Sequence, residues 1–331
     1  MKLIIDAMSG DKAPGEIILG GLLGGAEYRV NLIFCGDEER IKKELQLRPH
    51  GIKLSNIEIL PANGVISMED DPLSVLKSKK NSSMGAGLTA LKEGRGDALL
   101  SAGNTGALLM GSTLLLKRIR GIKRAAIGSV LPAKVPTLLM DAGANVEVTP
   151  EFLLEFAIMG SVYMQRLYGL KSPRVGLLNN GTEACKGTPA HVEAYQLLQA
   201  CKNIHFVGNI EGSMMPFGHC DVLVADGFSG NVCLKVLEGV GKYLFDSMKE
   251  SLLSTPASRI GAMMAKRQFK QLKRKFSADE YGGAPLLGVS KPVIKAHGSS
   301  EALAIKHAVR QAKIFYETGV IEEILNLAKG V

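Results

Sequence analysis

The chain has 331 residues, 46% hydrophobic and 22% charged, a length that fits about two domains or lobes and a composition that can fill a large core. Its 38 glycines and 13 prolines follow no Gly-X-Y period and are scattered through otherwise periodic segments, which excludes a collagen-like chain and wholesale disorder. Nearly all of the formal net charge of +8 falls between Lys249 and Phe276, where eight basic residues meet one acid, Glu250, so the rest of the chain is close to neutral.

In chain order, Lys2 to Ile5 is a short apolar run, followed by Asp6, a turn of small and polar residues, and a helix-like stretch from Pro14 through Leu23. Only three apolar residues separate Lys2 from Asp6, so a secretory signal is not expected and the cytoplasm is the default location. Strand, loop and helix recur at Val30 to Cys35, and again at Ala98 to Ser101 followed by Gly103 and the apolar segment Ala107 to Lys117. The uncharged run from Ala98 to Leu116 approaches the ~20 residues of a membrane-spanning helix, but Gly103, Gly106, Gly111 and several hydroxyl residues interrupt it. Further strands are predicted at Thr137 to Met140, Arg174 to Leu178, His205 to Val207 and Val222 to Ala225. Such alternation predicts an α/β fold with a mostly parallel sheet covered on both faces.

Composition changes most sharply at residues 247–277, a polar, basic, helix-prone excursion from the α/β body in which Pro256 is placed to open a second helix after Ser254 or Thr255. Gly-rich turns follow Tyr281, and two final helices are predicted, Ser300 to Glu317 and Ile321 to Lys329. The five cysteines, Cys35, Cys185, Cys201, Cys220 and Cys233, are widely spaced and odd in number, so neither a disulfide framework nor a CxxC metal site is expected.

Several predicted strands end in loops that combine Gly with Asp, Asn, Ser or Thr: Asp6 to Asp11, Ser101 to Gly106, Asp141 to Asn145, Asn179 to Glu183 and Asp226 to Asn231. Ligands in open α/β sheets bind at the carboxyl ends of strands, so these loops are expected to line one rim together. Glycine lets backbone N–H groups approach an anion, and the following helix adds free donors and a positive dipole end, which suits phosphate. Each loop taken alone also reads as a simple turn with a helix cap. None fits a dinucleotide fingerprint or a nucleotide phosphate loop. Among the six histidines, His297 stands apart in the polar turn Lys295-Ala-His-Gly-Ser-Ser300, whereas His50, His191, His205, His219 and His307 have no comparable setting. No Gly-x-Ser-x-Gly elbow or Gly-rich cysteine setting supports a covalent acyl-enzyme.

As an ordered set, these loops resemble the PlsX family, the phosphate acyltransferases of bacterial phospholipid synthesis. The resemblance rests on Asp6-Ala-Met-Ser-Gly-Asp-Lys-Ala-Pro14, Lys80-Asn-Ser-Ser-Met84, Ser101-Ala-Gly-Asn-Thr-Gly-Ala-Leu108, Asp141-Ala-Gly-Ala-Asn145, Met159-Gly-Ser-Val-Tyr163, Arg174-Val-Gly-Leu-Leu178, Asp226-Gly-Phe-Ser-Gly-Asn-Val232, Tyr281-Gly-Gly-Ala284 and Lys295-Ala-His-Gly-Ser-Ser300. It runs along essentially the whole length, as one unit over 1–331 with two possible lobes. Ser9 stands where the family's first loop usually has Gly, which suits a small residue unless a positive φ is needed. Ala184 and Cys185 replace residues that are commonly charged in relatives, while Lys186 and Gly187 keep the pattern.

The resemblance implies a three-layer α/β/α sandwich similar to isocitrate and isopropylmalate dehydrogenases and to phosphotransacetylase, with the basic helices protruding. It implies transfer of a fatty acyl group from acyl carrier protein to inorganic phosphate, the acyl phosphate passing to a glycerol-3-phosphate acyltransferase. The implied partners are a second copy of the chain and, peripherally, an anionic membrane surface; no cofactor, metal or nucleic acid is implied. Phosphate, largely a dianion near neutral pH, can attack the thioester itself, so the protein's work is positioning and charge stabilisation. Phosphate and oxyanion contacts are expected from Asn104 and Thr105, from Asn180 and Thr182 with Lys186, and from Ser299 and Ser300, with Asp6, Asp226 and Asn231 in further binding loops. His297 is expected to protonate the departing thiolate, although a thiol of pKa ~8.5 leaves without much help. Two alternatives stay open: a phosphotransacetylase-like enzyme using acyl-CoA, and a catalytically silent membrane or carrier-protein adaptor, for which the basic segment would matter and the loops would not.

Overall fold

The computed structural model describes residues 1–47, 57–275 and 282–328; His50, Phe276, Tyr281 and Lys329 lie outside the described residues. The N-terminal part runs β1 (Lys2–Asp6), α1 (Gly15–Tyr28), β2 (Asn31–Gly36), α2 (Glu38–Gln46), β3 (Ile57–Pro61), α3 (Ser83–Lys92), β4 (Ala98–Ser101) and α4 (Thr105–Gly111). Next come β5 (Ala126–Leu131), β6 (Thr137–Met140), α5 (Pro150–Tyr168), β7 (Arg174–Asn179), α6 (Pro189–Ala200), β8 (His205–Glu211) and β9 (Val222–Val224). The remainder is α7 (Gly227–Leu253), α8 (Pro256–Met264), α9 (Lys266–Lys275), β10 (Ala284–Leu287), β11 (Val293–Lys295), α10 (Ala302–Glu317) and α11 (Val320–Ala328).

The strands form one mixed sheet in the order β3-β2-β1-β4-β11-β10-β5-β6-β9-β7-β8. Alternation along β1 explains the layers: Leu3 and Ile5 join a core with Ile18 of α1 and Ile305 of α10, whereas Ile4 joins Leu88 of α3 and Leu108 of α4. Both faces are therefore apolar and helix-covered, as the α/β/α sandwich requires.

Strand direction departs from the single rim expected above. β1, β2, β3, β4 and β11 are mutually parallel, as are β6, β9, β7 and β8, but β10 is antiparallel to both β11 and β5, and β5 to β6. The two parallel sets thus run in opposite directions. Their register is offset, with Lys295 level with Ala284, Leu286 with Ile127, and Gly128 with Met140. The carboxyl ends of β4 and β11 therefore approach the carboxyl end of β6 across the middle of the sheet.

The run from Ala98 to Leu116 resolves into β4, a loop, α4 and a wider helical turn at Ser112–Leu116. Among the described residues no helix is long and apolar enough to cross a membrane. The helical excursion starts earlier than residue 247, because α7 contains no proline after Gly227 and runs unbroken to Leu253. Pro256 opens α8 as expected: Thr255 Oγ1 accepts from Ser258 N and Ser258 Oγ accepts from Thr255 N, both at 3.1 Å.

Candidate active site

Where the opposed strand ends meet, the chain leaves a cleft of about 320 Å³. Its polar walls include Thr105 at the start of α4, Ser129 of β5, Asn231 of α7, Lys295 at the end of β11, and His297 and Ser300 just beyond it.

His297 is exposed, and its Nδ1 lies 3.3 Å from Ser299 N and 2.8 Å from Ser299 Oγ. A backbone N–H can only donate, so Nδ1 holds a lone pair, the Ser299 hydroxyl donates to it as well, and the neutral imidazole carries its proton on Nε2. Ser299 is thereby turned to His297 and is not one of the cleft walls. Ser300, which is buried, donates its N–H to His297 O at 3.1 Å and closes the turn. The cap of α10 is Glu301, not Ser300, and the Glu16 carboxylate of α1 accepts from Ala302 N at 2.7 Å.

Asp6 sits at the buried end of β1, where its Oδ2 accepts from Ser101 Oγ at 2.7 Å. Ser101 Oγ in turn accepts from Gly103 N at 3.1 Å, so the carboxyl braces the loop that leads to Thr105. Burial pushes the Asp6 carboxyl up, and the hydroxyls of Ser83, Ser9 and Ser101 pull it back. Oδ1 and the hydroxyl oxygens of Ser9 and Ser83 nonetheless have no well-aligned partner. Ser9 fits its loop because the left-handed turn falls on the next residue, Gly10, at φ 111°.

Asn104 was expected to meet the anion, but its side chain is committed to the backbone. Its oxygen caps α4 by accepting from Ala107 N at 3.0 Å, and its amide donates to the carbonyls of Ser67 and Met68 at 3.0 and 3.1 Å. Asp226 likewise caps α7, accepting from Ser229 N at 2.8 Å, and so aims Asn231 at the cleft. Asn180, Thr182 and Lys186 lie beyond β7, separated from β6 by β9, and are exposed outside the cleft. Within one chain they do not join His297. Their loop is held by Asn179 Nδ2, which donates to Lys186 O at 3.0 Å, and by Asn209 Nδ2, which donates to Glu183 O at 2.8 Å.

The opposite wall is shaped by Asp141, which is fully buried. Its Oδ1 accepts from Ile127 N at 2.9 Å, and its Oδ2 accepts from Ala144 N, Asn145 N and Asn145 Nδ2 at 2.9, 2.6 and 3.0 Å. Burial pushes this carboxyl up, and the N–H donors from Ile127, Asn145 and Ala144 pull it back.

Lys295 went unread in the sequence as a site residue. It is half-buried, its Nζ donates to Ala296 O, and it makes no ion pair among the described residues. Lys235, also in the cleft, is paired with Glu238 at 2.8 Å. Burial pushes the Lys295 ammonium down to about 8, against the pull of Asp6 and Asp11. No cysteine lines the cleft, and burial pushes the thiols of Cys35 and Cys220 up to about 12. The arrangement can bind and orient an anion beside hydroxyl, amide and imidazole groups, and it holds no activated thiol.

The fold is that of the phosphotransacetylases and related dehydrogenase-like chains. A phosphotransacetylase from Streptococcus pyogenes superposes with a TM-score of 0.61 at 17% identity, covering 97% of this chain and 94% of the other. A Salmonella typhimurium chain assigned as a 4-hydroxythreonine-4-phosphate dehydrogenase gives 0.53 at 12% identity, covering 95% and 98%. In sequence, residues 1–323 match the family model described as fatty acid synthesis protein. Proteins named phosphate acyltransferase from Clostridium botulinum (strain Loch Maree / Type A3) and Alkaliphilus oremlandii are 44% and 45% identical over 328 and 327 residues, covering 98% of this chain and 97% and 96% of theirs. The chain belongs to this family of fatty acid synthesis proteins, the phosphate acyltransferases.

Proposed function

We propose that the chain transfers a long-chain fatty acyl group from acyl carrier protein to inorganic phosphate, releasing acyl phosphate and the carrier thiol. The observation that carries the reading is a continuity: the polar cleft shares Gly143, Asn231 and Lys235 with an open trough of about 490 Å³ lined by Val146, Phe228, Val232 and Val236. An anion site that opens onto an apolar trough suits a phosphate nucleophile and a long acyl chain at one carbonyl. In the step, a phosphate oxygen forms a bond to the thioester carbon, the C–S bond breaks, and the thiolate leaves with a hydrogen bond from His297 Nε2–H, its proton coming from solvent. Thr105 and Ser300 hydroxyls and the Asn231 amide are among the donors available to phosphate and oxyanion.

Long-chain acyl carrier protein incubated with the chain and phosphate is expected to yield acyl phosphate, detected by mass spectrometry. Equal or better turnover of a short acyl-CoA would assign the donor to the phosphotransacetylase type, and no turnover of either would leave the adaptor reading. Because the cleft lacks an activated thiol, enzyme incubated with donor but without phosphate is expected to keep its unmodified mass. A stoichiometric acyl adduct that phosphate then discharges would overturn direct attack.

The basic helical segment supports peripheral attachment of an otherwise cytoplasmic protein to anionic membrane. Ile260, Met263 and Met264 on α8 are all exposed, Met264 at 81%, and the basic residues of α9 follow directly. A basic amphipathic segment gains ~1 kcal/mol per Lys or Arg near an anionic surface. Further back on α7, exposed Val240, Tyr243 and Leu244 form an apolar strip suited to a second copy of the chain. Vesicles containing phosphatidylglycerol are expected to sediment the protein reversibly and less so at high salt, with Met263→Glu plus Met264→Glu weakening binding while the fold is kept. Equal binding by both proteins, or none by either, would remove α8 as the anchor.

A further inference from the structure

The geometry points to Lys295 as the residue that binds the attacking phosphate dianion in the cleft. This rests on the phosphate-transfer reading above and adds the residue that selects the nucleophile.

Four observations lead there. Lys295 closes β11, whose register sets it level with Ser101 of β4, and Ala296 N donates to Ser101 O at 2.9 Å, so its main chain is fixed by the sheet. Its side chain lines the cleft together with Thr105, Ser129, Ser300 and His297, a ring of groups that can donate to phosphate oxygens. Among the described residues no carboxylate forms an ion pair with it, and its ammonium is occupied only by the neighbouring Ala296 carbonyl. The other cleft lysine, Lys235, is already neutralised by Glu238 at 2.8 Å. A half-buried ammonium with no fixed counter-ion costs folding energy, and an incoming dianion offsets that cost by completing a charge-assisted hydrogen bond.

Asp6 ends β1, on the other side of β4 from the strand that Lys295 closes. The carboxyl acts on Lys295 through space together with Asp11 of the following loop, while Lys235 opposes them; Glu238 and His297 also face the cleft. Ser101, level with Lys295 in the sheet, donates to Asp6 Oδ2 at 2.7 Å, so the carboxyl is held by the strand next to the lysine and forms no ion pair with it among the described residues.

A pH signature follows. Burial pushes Lys295 down to about 8, so the ammonium is present below that pH and is lost as pH rises through it. Phosphate affinity is therefore expected to fall above pH ~8 in the wild type. In Lys295→Arg the guanidinium stays charged over the same range, and the fall should vanish.

The test titrates inorganic phosphate against wild type, Lys295→Met and Lys295→Arg, reading acyl phosphate formation and, without acyl donor, phosphorus NMR line broadening of phosphate itself. Lys295→Met is expected to raise the phosphate KM about tenfold or more while the acyl-donor KM holds, with Lys295→Arg recovering part of the loss. Thermal melts matching the wild type establish that the variants fold. An unchanged phosphate KM with lowered kcat would overturn the inference and move Lys295 to the carbonyl oxyanion, and unchanged line broadening in Lys295→Met would overturn it outright. Should the wild type broaden phosphate in a Lys295-dependent way yet transfer no acyl group, Lys295 keeps its role and the transfer reading fails instead.

Discussion

Replacing Asp141 by Asn is expected to lower folding stability by about 3 to 5 kcal/mol, because each buried donor left without an acceptor costs ~1 to 3 kcal/mol. The carboxylate accepts from Ile127 N, Ala144 N, Asn145 N and Asn145 Nδ2, so all its partners are donors. An asparagine must turn an NH2 group toward one of those sets, where donor faces donor. The loss should appear in urea unfolding and as a Tm lower by roughly 6 °C or more. Activity should fall further than stability, since the loop that collapses carries Gly143 into the cleft. A variant within about 1 kcal/mol of wild type would mean that the loop donors find other acceptors.

A comparable loss is expected from a single methyl group at Gly230. A Cβ there would come 2.0 Å from Asp141 O, a main-chain atom that no rotamer change can move. α7 would have to lift off the β6 loop, displacing Asn231 and Lys235 from the cleft wall. Overpacking of this kind costs about 1 to 3 kcal/mol, with larger values where backbone is the obstacle. Misplacing cleft groups by about 1 Å can reduce turnover about 100-fold, so kcat/KM is expected to drop by that order in Gly230→Ala. Gly239, in the same helix, has nothing within 4 Å of its Cβ position and supplies the control. There the same substitution should stabilise by about 0.5 to 1 kcal/mol through helix propensity alone. Equal effects at the two positions, read by thermal melts and acyl phosphate assays, would discard the steric argument.

The α/β class and the strands carrying the Asp6, Ser101, Asp141, Asn179 and Asp226 loops were legible because each is an apolar run ending in a Gly-containing polar turn. Thr137–Met140 and Ala98–Ser101 coincide with the expected spans, and the strand ending at Asn179 differs by one residue. The strands Ile57–Pro61, Ala126–Leu131, Ala284–Leu287 and Val293–Lys295 were not read. The last two carry prolines that argue against strands, Pro285 inside one and Pro292 directly before the other, and their pairing is fixed by tertiary context. Missing them hid Lys295, because the direction of a side chain at a strand end cannot be inferred until the strand is known. It also concealed the reversal of direction across the sheet, and with it the fact that the β6 and β4 loops meet head-on. At Asn104 and Asp226 a polar residue before a helix reads equally as ligand or cap. In both, backbone N–H groups of the chain itself take the oxygen.

The placement of β10 and β11 also governs when the molecule can assemble. These strands enter the centre of the sheet from residues 284–295, between β4 and β5, which are made more than 150 residues earlier. On a ribosome adding ~5 to 20 residues each second, β4 and β5 wait many seconds with open edges until the closing strands emerge. Open strand edges are templates for pairing with other chains, and sequence-distant pairing is slow to form. Newly made chains therefore pass through an interval in which the two parallel sets exist as separate, sticky fragments. Chaperone capacity during synthesis, rather than final stability, is the quantity that should set the yield of folded protein.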